Sequence, residues 1–293
     1  MKDRDTLHRF LFERFPVRGK LVHLDASWQA VLERHDYPPS VRAVLGEAMA
    51  ATAMLAATLK FDGQLTLQLQ GGGRLGLVLV QCSSELALRG LARWRGAVPA
   101  GSLAEMTGSG RLSVTIEMSD RRRYQGIVPL DGEGIAECLQ SYFAQSEQMP
   151  TRLWLTADDR RAVGMMLQKI PAEVGGGQGD ADGWPRVTML AETLTDEELL
   201  GLEDRELLRR LFYEEDVRLF SGLPVSFRCS CNRERVETVL RMLGRDEVAG
   251  IIEEKGSVEV RCEFCNRPYA FDSIDIERLF VADEQAAATR TLH

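Results

Sequence analysis

Histidine is scarce in this chain. The 293 residues hold four, and His8, His23, His35 and His293 all stand apart from the cysteine pairs near the C-terminus. A metal site built from those cysteines is therefore all sulfur, and a closed four-sulfur site keeps no open position for a reactive water. The zinc-deaminase pattern, with its ligand-x-Glu and Pro-Cys-x-x-Cys elements, is absent as well. So are a nucleophile elbow, a phosphate-binding loop with its lysine, and a His-Glu-x-x-His pair. These absences weigh against an enzyme.

Long apolar runs are missing too. The longest candidate, Ala43–Leu59, is alanine-rich and carries Glu47, short of the ~18 uncharged residues of a membrane span. The opening Met1-Lys2-Asp3-Arg4-Asp5 is charged and leads into no apolar core with a small-residue cleavage site, so it does not read as a signal peptide. Positive charge is in deficit: the net charge is −8 and the pI about 5.2. Nucleic-acid binding asks for a basic face, and Arg121-Arg122-Arg123 reads as a solvated turn. The expectation is a cytoplasmic protein with neither nucleic acid nor membrane as partner.

What is present is an ordinary globular composition, 44% apolar and 27% charged. The length fits about two domains at ~150 residues each. Helical and strand patterns alternate over the first ~170 residues. Helices are expected at Asp3–Arg14, Ser27–His35, from Pro39 with Ser40 as N-cap, and at Ile135–Ser146. Strands are expected at Gly19–Leu24, Leu65–Gln70, Leu75–Val80, Leu86–Trp94, Leu112–Met118, Tyr124–Val128 and Arg152–Thr156, with a further apolar segment at Arg161–Ile170. This is an α+β (mixed α/β) domain, residues 1–172, with a mostly antiparallel sheet.

Composition shifts after Pro171. Residues 175–183 form a glycine-rich, flexible polar loop. A helical, acidic linker follows, spanning 173–226 in all. Thr195 and Glu198 have capping-box spacing, and Leu199, Leu200, Leu202, Leu207, Leu208, Leu211 and Phe212 make an apolar stripe. Nine acids face four arginines between Asp196 and Arg218, so the segment needs tertiary packing to stay helical. Residues 227–282 form a unit too small to be stable on its own core. The tail, 283–293, reads as disordered.

The small unit carries Cys229-Ser-Cys231 and Cys262-Glu-Phe-Cys265, thirty residues apart. Four thiolates from two turns can hold zinc tetrahedrally at ~2.3 Å, and the same sulfurs can also form disulfides. Cys262-x-x-Cys265 has the usual knuckle spacing, while Cys229-x-Cys231 is tighter. Val236, Val239, Leu240, Leu243, Val248, Ile251 and Ile252 are expected to pack beside the site as two short helices, and Val258–Val260 as a strand leading to the second knuckle. In a reducing compartment such pairs are metal ligands or redox centres rather than structural disulfides. Spacing alone favours a permanent structural site over a releasable one by roughly two to one.

Other motifs resolve simply. Gly71-x-Gly73-x-x-Gly76 matches the dinucleotide fingerprint letter for letter, but strand follows it where a helix is required, so it reads as a hairpin turn. Cys82 and Cys138 read as buried small hydrophobes.

Several stretches together resemble the redox-regulated molecular chaperones of the heat shock protein 33 family. They are Phe15-Pro16-Val17-Arg18-Gly19, Leu59-Lys60-Phe61-Asp62-Gly63, Leu67-Gln68-Leu69-Gln70-Gly71, Tyr124-Gln125-Gly126, Ser141-Tyr142-Phe143 and Ser146–Arg152. Phe212-Tyr213-Glu214-Glu215 and Phe227-Arg228-Cys229-Ser230-Cys231 extend them, followed by Arg233-Glu234-Arg235. The likeness covers residues 5–280, with Gly72 as a local departure where relatives often carry an acid. The resemblance implies a client-binding domain at 1–172, a linker at 173–226 and a zinc-binding redox switch at 227–282. It implies zinc held by Cys229, Cys231, Cys262 and Cys265 in the reduced, inactive state only. It also implies disulfides Cys229–Cys231 and Cys262–Cys265 on oxidation, zinc release, linker unfolding, a homodimer, and ATP-independent holding of unfolding client proteins. The competing reading is a zinc-ribbon interaction module with a permanent structural zinc.

Overall fold

The computed structural model describes residues 4–130, 132–171, 180 and 182–290, with side chains to residue 281. Most of the glycine-rich loop expected at 175–183 lies outside the described residues. Two compact units emerge, residues 1–228 and 229–293.

The first unit is built on two sheets. One contains β1 (Thr6–Phe12), β2 (Val17–Leu24), β8 (Thr151–Ala157), β9 (Ala162–Lys169), β10 (Val217–Leu219) and β11 (Leu223–Pro224). Its order is β10-β1-β2-β9-β8, with β11 also on β1. The other contains β3 (Gly63–Gly71), β4 (Leu75–Ser83), β5 (Ala87–Trp94), β6 (Gly110–Met118), β7 (Arg123–Val128) and β12 (Ser226–Phe227). Its order is β12-β5-β4-β3-β6-β7. All described pairings are antiparallel except β12 on β5, so the α+β expectation stands.

Helix α2 (Pro39–Ala56) is the centre of this unit. Its buried Val41, Leu45, Met49 and Met54 share one apolar cluster with Leu65, Leu67 and Leu69 of the second sheet and with Val22, Leu24 and Met166 of the first. Around it stand α1 (Ala26–Leu32), α3 (Leu103–Thr107) and α4 (Ile135–Gln145). Ser40 is not the cap of α2. Pro39 occupies the first helical turn, where its missing N–H costs nothing, and Ser40 Oγ donates to the Val98 carbonyl at 2.8 Å.

The first sheet is buried on both faces. Val163, Met165 and Leu167 of β9 join Phe10, Phe12 and Leu21 in a second cluster on the side away from α2. That side is covered by α5 (Gly183–Ala191), α6 (Asp196–Gly201) and α7 (Asp204–Leu211), which supply Val187, Ala191, Leu199, Leu207, Leu208, Leu211 and, just past α7, Phe212. Two-sided burial explains why 161–170 reads as a near-continuous apolar run rather than an alternation. The capping box at Thr195 forms, with Glu198 N donating to Thr195 Oγ1 at 3.3 Å.

Two expectations change here. The helix expected at Asp3–Arg14 is not formed by the described residues, 4–14: Thr6–Phe12 is a strand between β2 and β10. His8, Phe10 and Phe12 follow a period of two, and sheet pairing decides the matter over the short helical pattern. The acidic linker also does more than form helices, since after α7 it contributes β10, β11 and β12 to the edges of both sheets. The Gly71–Gly76 segment is a hairpin turn between β3 and β4. A Cβ on Gly73 would stand 2.6 Å from the Met106 carbonyl oxygen, so close backbone approach accounts for that glycine.

The second unit holds α8 (Arg233–Leu243), α9 (Arg245–Lys255), β13 (Val258–Arg261), β14 (Pro268–Phe271) and α10 (Ser273–Arg290). Its core is small: Val236, Leu240, Val248, Val258, Tyr269, Phe271, Ile276, Leu279 and Phe280. Val239 and Leu243, expected inside, point outward at 52% and 54% exposure. Of the tail read as disordered, 283–293, α10 takes the backbone to Arg290, and 291–293 lie outside the described residues.

Candidate metal centre

The four paired cysteines converge. One Sγ from each of Cys229, Cys231, Cys262 and Cys265 lies within 4.8 Å of every other. Cys229 and Cys262 sulfurs are 3.6 Å apart, and Cys231 and Cys265 sulfurs 3.3 Å. A tetrahedron of sulfurs at ~2.3 Å from zinc has edges of about 3.8 Å, so the four donors are already near the spacing such an ion needs.

Local sequence explains the convergence. Cys229 and Cys231 sit in the turn before α8, whose N-cap is Asn232; its side chain accepts from Arg235 N at 2.9 Å. Asn caps helices well because its short side chain reaches the free N–H groups of the first turn. The second knuckle is a turn at the end of β13. Asn266 N donates to Cys262 O at 2.7 Å and Cys262 N to Arg267 O at 3.0 Å. Asn266 takes φ +57°, a left-handed conformation that asparagine tolerates better than most residues. Arg233 secures the frame: it donates to the Ala270 carbonyl at 2.9 Å, pairs with Asp275 at 2.7 Å and lies over the Phe271 ring.

Electrostatics favour a cation among these sulfurs. Burial, and then neighbouring sulfurs, push the Cys265 thiol above its ordinary value. Burial also raises Cys262, opposed by the backbone N–H groups of Cys265 and Phe264. Four half-buried sulfurs this close cannot all ionise without a positive charge to share. The donor set therefore fits a thiophilic divalent metal, and zinc above the harder cations, which take oxygen.

One neighbour had no sequence signal of its own. Tyr269 Oη donates to Cys231 Sγ at 3.1 Å, and that bond raises the phenol to about 12. Its place on β14, paired with Val260 two residues before Cys262, brings it to the site. The remaining cysteines stay apart, as expected. Cys82 and Cys138 are buried in the core around α2, where burial lifts the Cys82 thiol to about 12 and leaves it inert.

The sequence matches the family described as Hsp33 protein over residues 5–272. The chain belongs to the Hsp33 family. The 33 kDa chaperonin of Nitrosococcus oceani is 53% identical over the full length of both chains. That of Methylobacillus flagellatus is 50% identical over 97% of each. Among solved structures, the 33 kDa chaperonin of Thermotoga maritima, a heat shock protein 33 homolog, is similar with TM-score 0.81 at 26% identity. The match covers 95% of this chain and 99% of that one. The Hsp33 match thus takes in both sheets, the linker and all four paired cysteines. None of the described helices is long and apolar enough to cross a membrane.

Proposed function

We propose that this protein is an ATP-independent holding chaperone of the cytoplasm, switched on by oxidation of Cys229, Cys231, Cys262 and Cys265. The observation that carries this reading is the gathering of four sulfurs within 4.8 Å inside a unit whose own core is small. Bound zinc would offset the thiolate charge and cross-link the two knuckles. In that reduced state the cysteines hold the second unit closed.

Oxidation by hypochlorous acid balances as follows. One thiolate of a pair attacks chlorine and hydroxide leaves. The second thiolate attacks the resulting sulfenyl chloride sulfur and chloride leaves, so one S–S bond forms and chlorine takes two electrons. Two such steps give Cys229–Cys231 and Cys262–Cys265, the pairing that family resemblance implies. Neutral disulfide sulfurs are poor donors, so metal release follows. Structural zinc contributes ~10–16 kcal/mol of apparent binding energy, as much as the ~5–15 kcal/mol that stabilises a whole domain. The second unit then unfolds. Disorder at Cys229 reaches β12, a strand of two residues that ends two residues before it. With β12 lost, the linker keeps only the short β10 and β11 pairings on β1 and the packing of α5–α7. Its release bares Phe10, Phe12, Leu21, Val163, Met165 and Leu167, a surface for apolar client segments and for a second oxidised copy.

The test is to treat the reduced, zinc-loaded protein with hypochlorite while a chromogenic chelator reads released metal and light scattering reads aggregation of a denatured client. About one zinc per chain should be freed as four thiols disappear, together with a gain in aggregation suppression. Retained zinc, or no gain after its loss, would sink the reading. Equal client holding in both redox states would favour the permanent zinc-ribbon module.

A further inference from the structure

The linker covers its sheet with more than an apolar stripe. In α7 the buried positions are Asp204, Leu207, Leu208 and Leu211. Their spacing of i, i+3, i+4 and i+7 marks one helix face, so an acid stands at the head of the stripe. Asp204 is fully buried. Its Oδ2 lies 2.6 Å from His8 Nδ1 on β1, and its Oδ1 lies 2.8 Å from His23 Nε2 on β2. The second approach is short but poorly aligned as a hydrogen bond.

His8 shares the face of Phe10 and Phe12, and His23 the face of Leu21, because both pairs obey the strand period of two. The histidines therefore sit at the polar end of the apolar face that the linker hides. Burial alone would raise the Asp204 carboxyl; the contacts of His23 and His8 more than offset this, and it titrates below the ordinary value. It is thus a buried carboxylate whose compensation comes from the sheet.

Apolar packing is non-directional, and several dockings of the stripe would bury similar area. A buried charge is different, since removing its partner is strongly unfavourable. Only one docking places Asp204 between His8 and His23. Lifting α7 by any route exposes Asp204 to water and leaves both histidines without their carboxylate.

We propose that Asp204, His8 and His23 form a latch that fixes the linker on the sheet, and that breaking it opens the linker while all four paired cysteines stay reduced. The consequence for client holding rests on the function proposed above, whereas the latch itself does not.

The experiment uses the full-length, reduced, zinc-loaded protein. Hydrogen exchange is measured by mass spectrometry in wild type, Asp204→Asn and, as a charge control, Glu206→Gln, an exposed acid two residues on. Asp204→Asn should speed exchange across residues 183–212 on the order of tenfold or more. Residues 63–83 should keep their wild-type protection, and Glu206→Gln should match wild type. Should Asp204→Asn not fold, His8→Gln removes one sheet partner, leaves the carboxylate in place and should give the same local opening. Wild-type exchange across 183–212 in a folded latch variant overturns the proposal. Opening with zinc and thiols intact supports it. If the opened variant then fails to hold a denatured client, the link between linker release and chaperone action falls while the latch stands.

Discussion

Tyr269 shows how one hydroxyl can matter beside a sulfur. Its O–H occupies a lone pair of Cys231 at 3.1 Å, and a sulfur engaged in that way is a weaker nucleophile. Tyr269→Phe keeps the ring in the core of the second unit and removes only the donor. Site-resolved thiol trapping after brief hypochlorite treatment should find Cys231 modified severalfold faster in the variant. Metal affinity should fall about 10-fold or more, as it does when an outer partner of a ligand is lost. Unchanged rates at Cys231 would reduce Tyr269 to a packing residue. Glu47 is a second case. Burial first, then the charges of Glu137 and Asp196, raise its carboxyl to about 8. Between its unfolded value near 4.5 and 8 the native state keeps a proton that the unfolded chain releases, so this group costs stability as pH rises through that window. Glu47→Gln should remove the cost. Melting curves at pH 5 and pH 8.5 should diverge between the two proteins, with the variant ahead at the higher pH by about 1–2 kcal/mol.

At the scale of elements, the linker is the instructive case. Its helices are short, at nine, six and eight residues, and helices of that length are marginal in water. Their order comes from Val187, Leu199, Leu207, Leu211 and Phe212 against the first sheet. Leu207→Ala should therefore cost about 2–4 kcal/mol of local stability. Limited proteolysis of the reduced protein should find faster cleavage within 183–212 and an uncut core around α2. The stripe was legible because leucines at helical spacing need no context. The strand at Thr6–Phe12 was not, since seven residues with mixed periodicity depend on the neighbours that pair with them, and β10 lies about two hundred residues away in sequence. Asp204 is one of nine acids between Asp196 and Arg218, and nothing in the sequence singles it out; only the two histidines from distant strands reveal why it is inside.

The molecule as a whole divides its stability unevenly. Among the described residues, the first unit carries two large apolar clusters, one around α2 and one beneath the linker, whereas the second carries a single small one. If the four cysteines hold zinc, a strong chelator should act on the second unit alone. Circular dichroism should lose the signal of α8 and α9, while the thermal transition of the α2-centred core persists at nearly its original temperature. A single cooperative melt that shifts as a whole on chelation would contradict this division.

Periodicity and composition alone determined the α+β class, the antiparallel hairpins, the apolar linker stripe and the undersized cysteine-bearing unit. Each of these is a local property, fixed by which residues follow one another. The cysteine spacing determined which residues could share a metal, because two short turns need only fold back on each other. Tertiary structure alone decided that the sulfurs stand within 4.8 Å, that Tyr269 donates to one of them, and that Asp204 is enclosed by His8 and His23. Those outcomes join residues far apart in the chain. No local pattern encodes them, because the free energy that places them belongs to the packing of strands and helices from separate parts of the sequence.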